Sequence, residues 1–264
     1  LPLPAHVAHM FNARTLTHVW VDRYAGALLM LGAVLLAVFA RAYAFSWGGG
    51  RELRGGRWIL AAALLSTVLF GVMACLACRS FHKYVDCAVM NEVVWNISHG
   101  KGPITQLHET QPTPANRSFW SCHFAPALAL IAPLYRVWPS PYLLLSLQAL
   151  FIFSAAVPLY AVLRPRLGSW QALGLALAYL LYPATQHGML RELHTFWAGP
   201  LMVGLWWALG SRRWGYATAF ALLALICREE IALGLAGVGL AFLFTPGRRL
   251  AGLAILAVSL VLFA

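Results

Sequence analysis

The stretch Trp58–Cys78 reads WILAAALLSTVLFGVMACLAC and contains no charged residue. A helix needs about 20 apolar residues to cross the hydrocarbon core of a bilayer. Similar runs occupy 24–45, 141–163, 170–186 and 194–210, followed by a shorter pair at 214–227 and 231–244 and a last run from 250 onward. With 61% hydrophobic and 10% charged residues, the composition also departs from that of soluble domains. These features predict an all-α polytopic membrane protein.

The charged residues are sorted between two kinds of polar break. Six of the eight acidic residues lie in three short islands, 79–123, 187–194 and 228–230. The other breaks hold nine arginines and one acid; they are 46–57, 164–169, 211–213 and 245–249. Ionisable groups beside hydrocarbon are costly, so acids that recur on one side of a membrane protein are candidates for a functional site.

The net charge of +11 does not indicate nucleic-acid binding. The arginines occur singly or in pairs at the ends of apolar runs, and no basic stripe or nucleic-acid-binding motif is present. Such a distribution is typical of cytoplasmic anchoring by the positive-inside rule. We therefore expect the arginine-rich breaks inside and the acidic islands outside, with the candidate site on the non-cytoplasmic face.

The polar breaks alternate correctly between the inside and the outside of the membrane only if the stretch 123–138 does not cross it. A full span there would place Arg164 and Arg166 outside. Because this stretch contains Pro126 and Pro133, a regular spanning helix is disfavoured. We expect a juxtamembrane or re-entrant element instead, within one large external loop over 79–140.

The pair of short apolar runs surrounds the last acidic island, Arg228-Glu229-Glu230. The 15 residues from Arg213 to Arg228 would span about 22 Å as a helix, less than the core thickness of about 30 Å. We therefore expect a hairpin whose polar tip lies below the outer membrane surface and points into a cavity. Snorkelling of the tip at a locally thinned interface is the alternative.

The first island offers residues suited to acid–base chemistry and to phosphate binding. His82 and Asp86 are four residues apart and would share one face of a short amphipathic helix on the outer membrane surface. Lys83 and Lys101, the two lysines of the chain, suit a phosphate, and His123 begins the proline-broken element. A solvated surface loop is the alternative interpretation of these charges.

The second island, His187-Gly188-Met189-Leu190-Arg191-Glu192-Leu193-His194, is a weaker signal. Glu192 and His194 are two residues apart, too sparse a pattern for a metal site. Together with Arg191 they would suit an anionic head group in a polar cavity, and a plain interfacial loop explains them equally well.

A series of short motifs in a fixed order resembles a known family. It includes Tyr84-x-Asp86, Gly100-x-Gly102, His123-Phe124-Ala125-Pro126, Tyr179-Leu180-Leu181-Tyr182-Pro183, Glu192-Leu193-His194 and Arg228-Glu229-Glu230. The chain resembles, over roughly 58–250, a bacterial multi-pass membrane protein family of unknown function, DUF2079, related to the GT-C glycosyltransferases that use polyprenyl-phosphate sugars. It departs from the family pattern after His194, where Thr195-Phe196 stands in place of a Pro-Glu pair.

The resemblance implies a GT-C-like helix bundle and inverting transfer of a sugar from a polyprenyl-phosphate donor. It implies that Asp86 is the catalytic base and that Arg228, with Arg191 or Lys83, stabilises the leaving phosphate. His123 would orient a substrate. Glu229 or Glu230 would hold a divalent cation if one is used, although many GT-C enzymes use none.

These expectations divide the chain into an N-terminal segment, 1–57, with one extra membrane helix, and a GT-C-like domain, 58–264, incomplete at its C-terminus. Its partners would be membrane lipid and a lipid-linked sugar, in a bacterial inner membrane. A lipid or small-molecule transporter is the alternative function, because buried Arg and Glu also suit a moving substrate. A second alternative function is that of a non-catalytic membrane assembly subunit.

Overall fold

The computed structural model describes residues 54–80, 85–106, 118–121, 123–191, 193 and 197–263. All regular secondary structure within these residues is helical. The β-structure among them is a single isolated bridge between Ile104 and Ser118. The prediction of an all-α protein is therefore confirmed. The predicted span 24–45 and the rest of the N-terminal segment lie outside the described residues.

Eleven α-helices lie in the described residues, and most of them follow the predicted apolar runs. The run 170–186 was predicted as one span, but it divides at Tyr182, and a separate helix continues through the second polar island to Arg191. In chain order, the helices are α1 (Arg54–Arg79), α2 (Val85–Ser98), α3 (Ala127–Val137), α4 (Pro141–Ser154), α5 (Ala156–Leu167), α6 (Ser169–Leu181), α7 (Pro183–Arg191), α8 (Ala198–Gly210), α9 (Trp214–Leu225), α10 (Ile231–Leu243) and α11 (Arg249–Phe263), with a 3₁₀ turn at Phe119–Ser121.

Two stretches in the described residues are long and apolar enough to cross a membrane. One is Gly55–Arg79, and the other is Pro141–Leu167, which joins α4 to α5. The regular helix is interrupted at Ala155, because Pro158 has no amide hydrogen to donate to the carbonyl of Ser154. The other apolar helices are shorter, with 10 to 17 residues each.

The arginine-rich breaks lie together at one end of the molecule, which we call the arginine-rich end (the start of α1 and residues 164–169, 211–213 and 245–249). Tyr160, one turn before Arg164, lies against Gly55. A guanidinium nitrogen of Arg166 lies 3.1 Å from the position that a Cβ would take at Gly210. The guanidinium of Arg248 lies 5.3 Å from the centre of the Trp214 ring. This is the arrangement that the alternating topology predicted.

Helix α3 is too short to cross a bilayer. Its 11 residues rise about 16 Å, roughly half the thickness of the hydrocarbon core. It packs on α2 and buries one face (Ala127, Leu128, Ile131, Ala132 and Tyr135). Its length therefore supports the juxtamembrane or re-entrant placement expected for 123–138.

The prediction of a surface amphipathic helix at the start of the first island is wrong. Helix α2 begins at Val85, and none of the residues 86–98 is exposed. Val93 and Val94 are fully buried, while buried Asn91 accepts a hydrogen bond from Tyr135 and Asn96 donates one to the carbonyl of Ile104 at 2.8 Å. Because the polar side chains are paired within the protein, α2 packs as a core helix against α3 and α4.

Helices α10 and α11 cross at two glycines that allow their backbones to meet. A Cβ added at Gly239 would lie 2.9 Å from the amide nitrogen of Leu256. One added at Gly252 would lie 2.7 Å from the carbonyl oxygen of Gly239. A backbone atom cannot move aside as a flexible side chain can, so this crossing requires glycine at both positions. Close approach at small residues is a common way for apolar helices to associate in a membrane.

We expect Gly239→Ala to lower stability by about 1–3 kcal/mol, because the added methyl forces the helices apart. The matched control is Gly237→Ala in the same helix, where an added Cβ meets nothing within 4 Å. The control should be neutral or slightly stabilising, since alanine favours a helix. Thermal unfolding of both variants in one detergent measures the difference, and equal melting temperatures would contradict this packing.

Candidate functional site

The loop that precedes α3 and the tip of the hairpin α9–α10 meet, although they are far apart in sequence. His123 Nδ1 lies 2.9 Å from Glu229 Oε1, across 106 residues of chain. Four residues after His123, the amide of Ala127 donates at 2.8 Å to the carbonyl of Ile226, three residues before Glu229. The first amide of α3 is therefore capped by the hairpin turn, and these two hydrogen bonds hold the loop and the turn together.

The turn owes its shape to a buried residue between the two short helices. Cys227 is 3% exposed and packs, with Ala224, into the main hydrophobic core. The amide of Ile231 bonds to the carbonyl of Arg228 at 3.1 Å, and the amide of Ala232 bonds to that of Glu229 at 2.9 Å. With Cys227 drawn inward, the next three residues form a compact polar turn ahead of α10.

Four charged or ionisable side chains form two contacts at this place, which we call the tip cluster (His123, Arg228, Glu229 and Glu230). Besides the His123–Glu229 bond, Arg228 Nη2 lies 3.0 Å from Glu230 Oε1. The side chains of Arg228 and Glu229 are 16% and 21% exposed, whereas those of His123 and Glu230 are 41% and 58% exposed. Each contact thus joins a shielded group to one that solvent reaches.

Glu229 is held in its charged form. Burial raises the pKa of its carboxyl, but the hydrogen bonds from His123 and from its own backbone amide, with the charges of His123 and Arg228, outweigh burial. The pKa of Glu229 therefore lies below its ordinary value. At neutral pH the turn presents a shielded carboxylate to the histidine.

The His123–Glu229 contact fixes the form of the imidazole. An ionised carboxylate only accepts hydrogen bonds, so Nδ1 of His123 carries the hydrogen. In neutral His123, Nε2 is then the acceptor and can take a proton from a bound hydroxyl. The backbone amide of His123 also donates to the carbonyl of Phe119 at 2.9 Å, which anchors the residue in the loop. The arrangement is that of a histidine base oriented by a carboxylate.

The loop that carries His123 is anchored to α2 by Glu92. Its Oε2 accepts hydrogen bonds from the hydroxyl of Thr105 at 2.8 Å and the amide of Gln106 at 3.0 Å. From there Ile104 pairs with Ser118, and the amide of Phe119 donates to the carbonyl of Pro103 at 2.7 Å. Glu92 had no role in the sequence analysis, and its contacts make it a positioning residue for the loop.

The structure brings together four of the predicted site residues, those of the tip cluster. Asp86 is half-buried and lies in the first turn of α2, where the helix dipole also stabilises a carboxylate. Between Asp86 and the other described residues there is no hydrogen bond or ion pair. His82, Lys83, Glu192 and His194 lie outside the described residues, and Arg191 is described only as the last residue of α7.

A second cationic surface at the end of α2 was only partly anticipated. The Lys101 ammonium lies 4.7 Å from the centre of the Trp95 ring, and the His99 ring stacks on the same indole at 4.0 Å. His99 and Lys101 are exposed. This stack was not predicted from the sequence, although the spacing Trp95-x₃-His99, which places both rings on one helical face, could have indicated it.

Among the described residues, no three His, Cys, Asp or Glu side chains converge in a way that would hold a metal ion. Glu229 and Glu230, the predicted cation ligands, instead face His123 and Arg228. The arrangement of the tip cluster is thus that of paired charges. Chemically, such an arrangement can transfer a proton through the histidine and can bind an anion where the guanidinium releases its carboxylate.

We expect His123 and Glu229 to be coupled by about 1 kcal/mol in a double-mutant cycle of His123→Ala and Glu229→Gln, because each loses its partner in the other's variant. The adjacent Glu230→Gln is the control and should show no coupling to His123. Thermal or denaturant unfolding in detergent measures both cycles, and a coupling near zero in the first would contradict the contact.

The stabilising effect of the Glu229 carboxylate should depend on pH in a defined direction. Since the folded pKa is lowered, the effect is fully present above the unfolded pKa of about 4.3 and is lost as pH falls through the folded value. The stability difference between wild type and Glu229→Gln should therefore shrink below about pH 4.

The sequence model of a family described as a predicted membrane protein, DUF2079, matches residues 83–264, which is more than half of the chain. The match begins later than the predicted region and extends to the last residue. No curated protein and no solved structure matches this chain. The predicted resemblance to this family is confirmed, and the chain belongs to the DUF2079 family of predicted membrane proteins.

Proposed function

We propose that this chain is a polytopic membrane glycosyltransferase of the GT-C type, which transfers a sugar from a polyprenyl-phosphate donor at the non-cytoplasmic face. The observation that carries the proposal is the tip cluster. It combines a histidine that is oriented by the carboxylate of Glu229 with the shielded guanidinium of the adjacent residue, Arg228. Sugar transfer from a phosphate donor requires these two elements, a base for the acceptor hydroxyl and a cation for the leaving phosphate.

The depth of the tip cluster supports a lipid-linked substrate. Helix α9 has 12 residues and α10 has 13, so each rises about 18–20 Å. Measured from an interface at the arginine-rich end, the turn lies short of the far surface of a core about 30 Å thick. The phosphate of a membrane-embedded polyprenyl chain reaches such a depth more readily than a soluble nucleotide sugar does.

The distribution of charge supports the proposed orientation. The arginine-rich end carries Arg164, Arg166, Arg212, Arg213 and Arg248, and the tip cluster lies at the opposite ends of α9 and α10. Under the positive-inside rule the arginine-rich end is cytoplasmic. In a bacterial inner membrane the tip cluster then faces the outside, where lipid-linked sugars are used as donors.

In the proposed reaction the acceptor oxygen attacks the anomeric carbon, and the bond from that carbon to the donor phosphate oxygen breaks. His123 Nε2 accepts the hydroxyl proton, and Glu229 stabilises the imidazolium that forms. The phosphate leaves with its electron pair and negative charge. Arg228 exchanges its contact with the exposed Glu230 for this phosphate, a stronger partner for a guanidinium.

Asp86 is the rival base in this proposal, since the family resemblance assigns the role to it. Its support is its place in the first external island, together with Lys83 and His82. The support for His123 is the observed bond to Glu229 and its 41% exposed side chain. The second candidate function is a lipid transporter, which would use the same charges to bind its substrate and would need no base. It therefore differs from the enzyme in that it neither releases nor transfers the sugar.

We expect radiolabelled sugar to be released or transferred from polyprenyl-phosphate sugars by the full-length protein in nanodiscs. Removal of a general base costs about 10²–10⁴-fold, so His123→Gln should lower turnover by at least about 100-fold. Glu229→Gln should lower it less, and Glu230→Gln, which alters an exposed carboxylate, is the matched control.

The variant Asp86→Asn separates the two assignments of the base. If His123 is the base, Asp86→Asn keeps most of the activity; if Asp86 is the base, activity vanishes while His123→Gln retains some. Saturable binding of the lipid-linked sugar without turnover in every form of the protein would contradict the enzyme and favour transport.

A further inference from the structure

The arginine-rich end contains two turns that lie side by side. One joins α8 to α9 and carries Arg212 and Arg213, and the other joins α10 to α11 and carries Arg248. Their proximity follows from the Arg248 guanidinium, which lies 5.3 Å from the centre of the Trp214 ring and 5.1 Å from that of Phe242. Arg213 lies 5.3 Å from the centre of the Trp207 ring and 5.9 Å from that of Tyr216.

Each of these two guanidiniums is thus flanked by two aromatic rings. A guanidinium held over a ring face is restrained by the ring, and its N–H groups can still donate in the plane of the guanidinium. Arg213 is exposed and Arg248 is half-buried. The rings therefore fix two hydrogen-bonding forks at a surface that a ligand can reach.

No carboxylate of the described residues neutralises these arginines. The described acids are Asp86 and Glu92 in α2 and Glu229 and Glu230 in the hairpin turn, and both described ion pairs are within the tip cluster. The turns at the arginine-rich end contain no acid in their sequence, Ser211–Arg213 and Thr245–Arg248. Within the described part of the chain, these guanidiniums contact aromatic rings and no carboxylate.

The backbone of Arg212 provides an independent indication that a charged residue is favoured here, because the residue is kept in a strained conformation. Its φ of 54° lies in the left-handed region, and the amide of Arg213 bonds back to the carbonyl of Ala208 at 2.8 Å. This is the helix-ending turn in which glycine is the usual residue, since a side chain there costs about 1–2 kcal/mol. The neighbouring turn has glycine at its left-handed position, Gly247 with φ 74°.

We propose that Arg212, Arg213 and Arg248 form a binding site for the phosphodiester head group of an anionic phospholipid. The occupant is a lipid because the site is bordered by large exposed apolar and aromatic side chains, which suit the membrane interface. They are Trp206, Trp214, Tyr216 and Phe244, with exposed fractions of 53%, 48%, 56% and 82%. Oriented guanidinium forks match phosphate oxygens, and basic surfaces of this kind attract anionic lipids.

This site lies at the opposite end of α9 and α10 from the tip cluster and does not depend on the function proposed there. Its role would be to hold the two turns together and to seat the arginine-rich end in an anionic leaflet. A lipid that bridges the turns binds the folded protein and should therefore raise its melting temperature.

The test is the melting temperature of the full chain in a neutral detergent, titrated with phosphatidylglycerol and, separately, with phosphatidylcholine. We expect a saturable increase with phosphatidylglycerol and none with phosphatidylcholine. In the double variant Arg213→Gln/Arg248→Gln, the apparent Kd should rise more than about tenfold, since each cation near a lipid surface contributes about fivefold. Arg79→Gln, which removes an exposed arginine from the far end of α1, should bind as wild type does.

Arg212→Gly separates binding from folding. Without lipid its melting temperature should equal or exceed that of the wild type, because the left-handed strain is relieved, while its lipid-induced increase should be smaller. Unchanged lipid affinity in the double variant, or an equal effect of phosphatidylcholine, would overturn the site. Displacement of the lipid by millimolar inorganic phosphate would overturn the lipid as its ligand.

Discussion

The hydrogen bond between His123 and Glu229 joins the two segments on which the arrangement of the acidic end of the molecule depends. One segment is the loop that α2 anchors through Glu92, and the other is the turn of a hairpin that packs into the core through Cys227. The direction of α3 follows from the same junction, because its first amide is capped by the carbonyl of Ile226. A short hairpin alone would leave the Glu229 carboxylate poorly solvated and unpaired near hydrocarbon, a costly state. The loop histidine offsets part of that cost by donating a hydrogen bond to the carboxylate.

A second constraint is the separation of charge along the helices. The described acids lie in α2 and in the hairpin turn, whereas α5, α8 and α10 end near arginines. At one end the charges pair with one another, and at the other they rest on aromatic rings. The acidic end therefore holds a histidine–carboxylate pair and a shielded cation, and the arginine-rich end holds cations that contact aromatic rings. For a protein of a membrane family, this division suits a reaction at one face and anchoring at the other.

The apolar runs determined most of what the sequence could predict about the fold. The boundaries of α1, α4–α5, α8, α9 and α10 agree with the predicted spans to within a few residues, because stretches without charge leave little choice of where a helix ends. The expectation that 123–138 does not span the membrane followed from its two prolines and from the need to keep all the arginine-rich breaks on one side. Helix α2 was mistaken for a surface helix, since its polar residues Asn91 and Asn96 are buried and bonded within the protein, Asn91 to Tyr135 in α3 and Asn96 to the carbonyl of Ile104 in the following loop.

The candidate site was predictable as a set of residues and not as a set of contacts. The acids and the arginine stood out because they interrupt apolar sequence, but nothing local to His123 indicates that Glu229 is its partner 106 residues away. The pairing depends on how deeply Cys227 packs, which is a property of the assembled core.

The contact between the loop and the hairpin turn is tested most directly by cross-linking in the membrane. In a full-length protein whose native cysteines are replaced, His123→Cys and Glu229→Cys should be joined efficiently by a short thiol cross-linker. The pair His123→Cys and Arg213→Cys, at opposite ends of α9, should not be joined. A cross-link in the first pair alone is the result that this account predicts; its absence, with both cysteines reactive and the protein folded, would contradict it.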